Sequence, residues 1–355
     1  MKNFRKKLKD WFLTNKRDLP WRQNTHWYTT LLSELILQQT TVQQGLPYYH
    51  KFVKKYPDIF ALANAGEQEV LHLWAGLGYY ARGRNLLKTA KALVAQHNGD
   101  FPADLKQALA LPGIGPYSAA AILSIAFDKP YAVIDGNVIR VICRLFGIST
   151  DTRNAATIKK IKSIGQRLLD KGEPGVYNEG MMELGALVCT PKLPKCKSCP
   201  LQNYCRAYNK NLTESIPCKS PPAAKSKKYN LVGLCSYKNK ICIMRRLGKG
   251  LLAGMWELPV LEIAEKNFFE ANDESFAKEY KINGKYQKSS PDFRHIYSHI
   301  DLRYSVHVFD LNNNQINQKN YVELRWCKFS ELSNFAIHNA HKKILDWYAS
   351  DIKKI

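Results

Sequence analysis

Two kinds of apolar spacing divide this chain of 355 residues. From Phe4 to about Tyr208 apolar residues recur every three or four positions, with Gly, Pro, Asn and Asp punctuating the runs, which predicts helices nearly throughout. At 217–228 the sequence PCKSPPAAKSKK turns to Pro, Ser and Lys, the composition of a linker. Beyond it, 230–237, 241–245, 295–311 and 321–329 are rich in Val, Ile, Tyr and Leu with partial alternation and read as strands. The pattern predicts an all-helical domain at 1–216, a linker at 217–228 and a smaller α+β domain at 229–355. No repeat of fixed period interrupts it.

The stretch 108–127 carries no charge and is long enough to span a bilayer, but LPGIGP at 111–116 lies inside it. Two Pro and two Gly would break a spanning helix, so the stretch reads as two short buried helices around a turn. The N-terminus is basic and lacks the apolar run of a signal peptide. These readings predict no membrane association and a cytoplasmic location.

Charge narrows the partners. Lys and Arg number 53 against 30 Asp and Glu, a formal balance of +23. The excess is spread over both halves, which points to a polyanion bound with strong salt dependence. A merely soluble basic protein is the plainer alternative. With 45% apolar residues, the chain has enough apolar surface to fold.

Four constellations carry candidate chemistry. Cys189, Cys196, Cys199 and Cys205 fall within seventeen residues. Structural zinc sites usually show two tight pairs, whereas here only one pair is tight and no His intervenes, so an iron-sulfur cube suits the spacing better. Lys192, Lys195 and Lys197 in the same loop could meet phosphates or simply be solvated. Second, Gly113, Ile114 and Gly115 lie in a turn between two helices. The glycines there permit backbone conformations closed to other residues, so that N–H groups can converge on a phosphate. A simple helical hairpin turn is the alternative.

The third constellation is a pair of carboxylates. Glu34 sits in an apolar helix, where desolvation favours its protonated form, and Asp135 precedes a helix beginning near Val138, whose dipole favours an anion. One acid and one anion would serve glycosidic bond cleavage, although on the residues alone a buried structural acid and a helix cap are the plainer reading of the two. The fourth is the aromatic and amide density of Trp21, Arg22, Gln38, Gln39 and the GLGYYARGR stretch at 76–84, suited to wedging into a base stack or to core packing.

In combination and in order, LPWR at 19–22, SELILQQT at 33–40, GLGYY at 76–80, LPGIG at 111–115, IDGNVIR at 134–140 and the four-Cys segment at 189–205 resemble the helix-hairpin-helix DNA glycosylases of the endonuclease III superfamily, specifically the MutY-type adenine glycosylases. The resemblance covers nearly the whole chain. It implies two helical lobes with the active site between them, one 4Fe-4S cluster on the four Cys, and a C-terminal domain similar to MutT and the Nudix fold. The implied activity is removal of adenine mispaired with 8-oxoguanine or guanine in double-stranded DNA, by a monomer associated with the nucleoid.

By the same resemblance Glu34 is the general acid, Asp135 stabilises the cationic sugar and Asn137 orients the site. Glu179, Arg22, Trp21 and Leu37 line the pocket of the flipped adenine, while Gln39 and Tyr79 insert near the opposing base. Tyr117 stands where bifunctional relatives place a Schiff-base Lys, and a phenol cannot form an aldimine. Hydrolysis without efficient strand cleavage is therefore expected, rather than a glycosylase with lyase activity or a non-catalytic iron-sulfur damage binder. GMWELP at 254–259 is similar to the opening of a Nudix strand, but no REXXEE follows and the acids at 262–279 are wrongly spaced for metal-dependent hydrolysis. HIYSH at 295–299 resembles the loop that senses 8-oxoguanine, with Tyr297 in place of Phe beside Ser298 and His299.

Overall fold

Capping chemistry sets many of the helix starts. Asp58, Asp104, Asp135 and Asn154 each accept a backbone N–H at a helix start, and Thr41 and Gln44 form a reciprocal capping box. The computed structural model describes residues 1–222, 224–268 and 273–352. They form two units: Met1–Asn64 with Asn85–Pro222, and Ala65–Arg84 with Ala223–Ile355.

The first unit is helical. The helix Trp27–Leu37 is buried along Leu31, Leu32, Leu35 and Ile36 and packs on the helix Pro116–Phe127, itself buried from Ser118 to Ser124. A short helix Leu105–Ala110 precedes the latter, as the two-helix reading of 108–127 requires. Among the described residues no helix is long and apolar enough to cross a membrane. A second core joins Phe4 and Leu8 to the helices Gly136–Phe146, Ala155–Leu168 and Pro174–Leu187, and Cys189, Cys199 and Cys205 pack against it.

The second unit is built on eight strands: β1 Ser226–Tyr237, β2 Lys240–Arg246, β3 Trp256–Glu257, β4 Val260–Ile263, β5 Gly284–Ser289, β6 Phe293–Ile296, β7 Ile300–Leu311 and β8 Tyr321–Lys328. The central pair, β1 and β7, is parallel from Ser226 opposite Ile300 to Ser236 opposite Asp310. Both faces of this pair are buried. Val232, Leu234, Tyr304 and Val306 meet Ala340 and Ile344 of the helix Asn339–Ile352, while Leu231, Cys235 and Phe309 meet Phe276 and Tyr280 of the helix Asp273–Tyr280. Period-two alternation thus supplies two apolar faces, each covered by a helix.

Three expectations change. Strand β1 begins at Ser226, inside the stretch 217–228 whose composition suggests a linker, and the segment Ala65–Arg84 joins the C-terminal unit although 1–216 reads as one helical run. The bonds that tie it there are polar: Gln68 donates to the Gly254 carbonyl and accepts from the Trp256 indole, each at 2.9 Å, and Arg84 donates to the Ala253 carbonyl. The run 295–311 is two antiparallel strands rather than one, because Tyr297 N–H turns back onto the Ile300 carbonyl at 2.8 Å.

Candidate active site

Glu34 is carried inward by the Trp27–Leu37 helix and Tyr117 by the helix packed on it. Both side chains reach a cavity of about 360 Å³ in the first unit, lined also by Trp21, Arg22, Leu37, Asp135, Asn137, Glu179 and Met182. The Tyr117 hydroxyl donates to Glu34 Oε2. Burial pushes the Glu34 carboxyl up to about 7, opposed by the Tyr117 bond and reinforced by the charges of Asp135 and Glu179. Glu34 therefore straddles its two protonation states near neutrality. Burial, then the Glu34 charge, raises the Tyr117 phenol well above its ordinary value, so it remains a donor.

Asp135 caps the Gly136–Phe146 helix, which starts two residues earlier than expected. Its Oδ1 accepts the Val138 N–H at 2.7 Å and its Oδ2 the Asn137 amide at 2.9 Å. Burial raises this carboxyl too, a cost that position at a helix start alone would not reveal. The bonds from Val138 and Asn137 pull the other way, and the net rise is smaller than that of Glu34. Asn137 is held in turn: its Oδ1 accepts from Arg140, whose guanidinium also bonds the Gly185 and Cys189 carbonyls.

The same cavity holds a charge clamp only partly foreseen. Arg22 donates to Glu179 at 2.8 Å and to Glu183 at 3.0 Å, and Arg17 adds two side-chain bonds and a backbone bond to Glu183. Burial would raise the Glu183 carboxyl, but these donors outweigh it and hold it at about 2. Glu183 and Arg17 escaped the sequence reading. The available signal was an acid four residues after Glu179, on the same helical face in an apolar stretch.

In the hairpin turn, Gly113 has a φ of 78° and a Cβ there would meet Asn85 at 2.4 Å, so glycine is required. Gly115 differs from expectation: as the cap before Pro116 its φ is −92°, open to any residue, and nothing lies within 4 Å of a Cβ. Its bareness leaves room rather than permitting a special conformation. Ile114 is buried and anchors the turn. Gln39 is exposed at a φ of 58° just beyond the Glu34 helix.

The four Cys lie on a loop fixed from beneath by buried Arg144. Its guanidinium donates to Cys189 Sγ at 3.4 Å and to the Thr190, Pro191 and Ile216 carbonyls. Burial raises the Cys196, Cys199 and Cys205 thiols, Cys199 up to about 12, and charge on Cys189 would raise each of the three further. Yet no three of the sulfurs lie within 4.8 Å of one another. Four thiols on one loop are soft donors of the kind that the expected iron-sulfur cofactor takes. Lys192, Lys195 and Lys197 are exposed on this loop.

In the second unit, Tyr79, Ser298 and His299 are exposed, and Ser298 Oγ donates to the Tyr79 hydroxyl at 2.9 Å. Tyr297 is half-buried, with its hydroxyl turned inward and without a hydrogen-bond partner. Among the described residues Glu257, His338 and His341 form a compact group of metal-ligating types. Most of their polar atoms are engaged within the protein, while His338 Nδ1 is buried without a partner. Arg246 and Tyr321 hold Glu257 Oε1, His338 faces Oε2 at 3.0 Å, and the Leu258 N–H occupies His341 Nδ1. The group is a hydrogen-bonded network inside the sheet domain. Of the acidic stretch 262–279, residues 269–272 lie outside the described residues.

Comparison with known proteins agrees with this geometry. Residues 32–167 match the family described as HhH-GPD superfamily base excision DNA repair protein, and residues 231–347 match the NUDIX domain. The solved structure of a thermostable thymine-DNA glycosylase superposes with a TM-score of 0.53 at 29% identity, over 59% of this chain and 96% of that one. Endonuclease III trapped on DNA, at 23% identity and a TM-score of 0.51, shares the fold. Fold and cavity define a base excision DNA glycosylase with an appended Nudix-like domain. The adenine DNA glycosylase of Rattus norvegicus is 32% identical over 97% of this chain and 78% of its own length, and that of Buchnera aphidicola subsp. Acyrthosiphon pisum (strain APS) is 30% identical over 97% of both. The chain belongs to the adenine DNA glycosylase family and is a hydrolase.

Proposed function

We propose that the protein hydrolyses the glycosidic bond of adenine opposite 8-oxoguanine or guanine, without strand cleavage, and that Glu34 and Asp135 divide the chemistry. The observation that carries the reading is one cavity holding two carboxylates of different proton affinity. Adenine must leave the base stack to enter it. Glu34 then protonates the leaving base, and because Tyr117 donates to Oε2, the transferable proton belongs on Oε1. Loss of the base leaves positive charge on the sugar. Asp135, preset by Val138 and Asn137, meets that charge without reorganising.

The ionised Glu34 next accepts a proton from the attacking water. Arg22, Glu179, Trp21 and Leu37 hold the adenine, while Gln39, Tyr79, Tyr297, Ser298 and His299 read the base it leaves behind. Among the described residues no lysine lines the cavity, which supports hydrolysis over Schiff-base chemistry. Gly113, Ile114 and Gly115 would bind the DNA backbone at the start of the Pro116–Phe127 helix. Cys189, Cys196, Cys199 and Cys205 would hold one 4Fe-4S cluster, whose service here is to fix a lysine-bearing loop against phosphate.

The test is single-turnover base release from duplexes with adenine opposite 8-oxoguanine, guanine or thymine, each read with and without alkali. Release from the first two, with strand breaks only after alkali, is expected. Equal release from all three, or breaks without alkali, would overturn the reading.

A further inference from the structure

The segment Ala65–Arg84 contains the most distorted backbone near any residue proposed to touch the opposing base. Gly76, Gly78 and Tyr79 have φ values of 110°, 70° and 47°. The first two are glycines, but Tyr79 adopts a left-handed conformation that L side chains rarely take. Its ring is nonetheless exposed at 45% relative area. Something must hold an exposed aromatic on a strained turn.

Arg82 does so from the first turn of the following helix. Its side chain is buried and runs back under the turn, where Nη2 lies 3.3 Å from both the Leu77 and Gly78 carbonyls. Its guanidinium lies 5.3 Å from the ring of fully buried Trp74 and 5.6 Å from the ring of Tyr79. The Trp74 indole donates to the same Gly78 carbonyl at 3.1 Å. Arg82 thus joins a fixed ring, two turn carbonyls and an exposed ring through one planar cation. It does not line the catalytic cavity.

We infer that Arg82 is a positioning residue that sets the Tyr79 ring for reading the base opposite the adenine, and so governs the preference for 8-oxoguanine over guanine. The inference rests on the proposed role of Tyr79 at the opposing base. A structural strut would contribute to folding alone, and a phosphate contact would contribute to every duplex alike. Positioning through Tyr79 makes a third demand: the effect must vanish once Tyr79 is gone.

The experiment is a double-mutant cycle of Arg82→Gln and Tyr79→Ala in the full chain, with Arg82→Lys alongside. Single-turnover excision is measured opposite 8-oxoguanine and opposite guanine, together with affinity for undamaged duplex, after circular dichroism establishes folding. Arg82→Gln is expected to lower the ratio of the two rates about tenfold, with undamaged-duplex affinity within twofold of the parent. Arg82→Lys should fall between, since an ammonium cannot span two carbonyls and stack on both rings. The double variant should have the ratio of Tyr79→Ala alone. If Tyr79→Ala lowers the ratio and neither Arg82 variant does, or if the losses multiply in the double variant, the inference about Arg82 fails while the reading of Tyr79 stands. If Tyr79→Ala leaves the ratio unchanged, the reading of Tyr79 fails and the inference falls with it. Should Arg82→Gln not fold, the Lys variant carries the same comparison.

Discussion

The two units handle polar groups in opposite ways. In the helical unit Glu34, Asp135, Glu179 and Glu183 are withdrawn into or beside one cavity, with donors assigned to Glu34, Asp135 and the Arg22 clamp. In the sheet unit Tyr79, Ser298 and His299 stand exposed on turns, and the buried polar network of Glu257, His338 and His341 is sealed away from them inside the fold. Chemistry at a glycosidic bond needs proton affinities shifted by desolvation at a cavity, which the packed interior of the helical unit supplies. Reading a base needs reach, which turns between strands or before a helix supply. The contrast predicts that variants in the first unit change rate and variants in the second change preference.

The sharpest break would come at Glu34. Glu34→Gln should bind mispaired duplex and release adenine at least ~100-fold more slowly, the usual scale for a lost general acid. Asp135→Asn should also slow the chemical step, since an amide cannot face the sugar cation as an anion. With the Glu34 carboxyl near 7, the active protonated form predominates below that pH, so the parent's rate should fall as pH rises through about 7. Stability carries the same sign. A carboxyl whose folded value is raised favours the fold at low pH and opposes it once ionised, so Glu34→Gln should be more stabilising at pH 8 than at pH 5. A flat pH profile and near-parental turnover would remove Glu34 from the acid's role.

A second prediction separates the rate-setting cavity from the Cys loop within the same unit. Cys199→Ser should lose iron, measured colorimetrically against an expected content near four per chain. It should also weaken binding to any duplex by roughly tenfold, if the loop's lysines meet phosphate as proposed. Stoichiometric zinc in anaerobically purified parent protein would exclude the cluster. Smaller still, Ser298→Ala and His299→Ala should each lower the preference for 8-oxoguanine over guanine by about five- to tenfold, on the order of 1 kcal/mol for a hydrogen bond at a base edge. A uniform loss on both mispairs would place these residues with the chemistry instead.

How much of this was legible in the sequence depends on where each signal lies. The burial of Glu34 was readable because its helix is apolar on every side, and the four-Cys loop stood out because four thiols fall within seventeen residues. The turn at Tyr297 was not readable from residue spacing, since no Gly, Pro or Asn announces it, although the resemblance of HIYSH to a loop points to it. Strand β5 escaped because it is largely exposed and bears charges, as edge strands do. The attachment of Ala65–Arg84 to the sheet unit rests on Gln68 and Arg84, polar residues that in one dimension look like helix surface. Glu183 was hidden for a related reason: its partners Arg17 and Arg22 lie more than 150 residues away, where no local pattern links them.

The attachment also changes which experiment can divide the two units. A fragment ending near Ser220 would keep Ala65–Arg84 but lose the strands and loops it packs with, so a point substitution gives a cleaner comparison than truncation.

Tyr297 supplies the smallest and most local case. The resemblance places Phe at this position, and the question it poses is whether the added hydroxyl serves the lesion or burdens the fold. In the structure the ring packs against the core formed with Tyr304 and Trp256 and stands edge-on to His295 at 4.6 Å, while the hydroxyl is buried without a partner. Burial is also the main reason its phenol is raised far above the ordinary value. A buried polar atom left unpaired costs about 1–3 kcal/mol, whereas the ring's packing is the same in Phe. Tyr297→Phe should therefore stabilise the protein by about 1 kcal/mol, seen as a higher denaturation midpoint with an unchanged slope. A midpoint unchanged or lowered, together with a reduced preference for 8-oxoguanine, would mean that the hydroxyl turns outward to the DNA and belongs with Ser298 and His299.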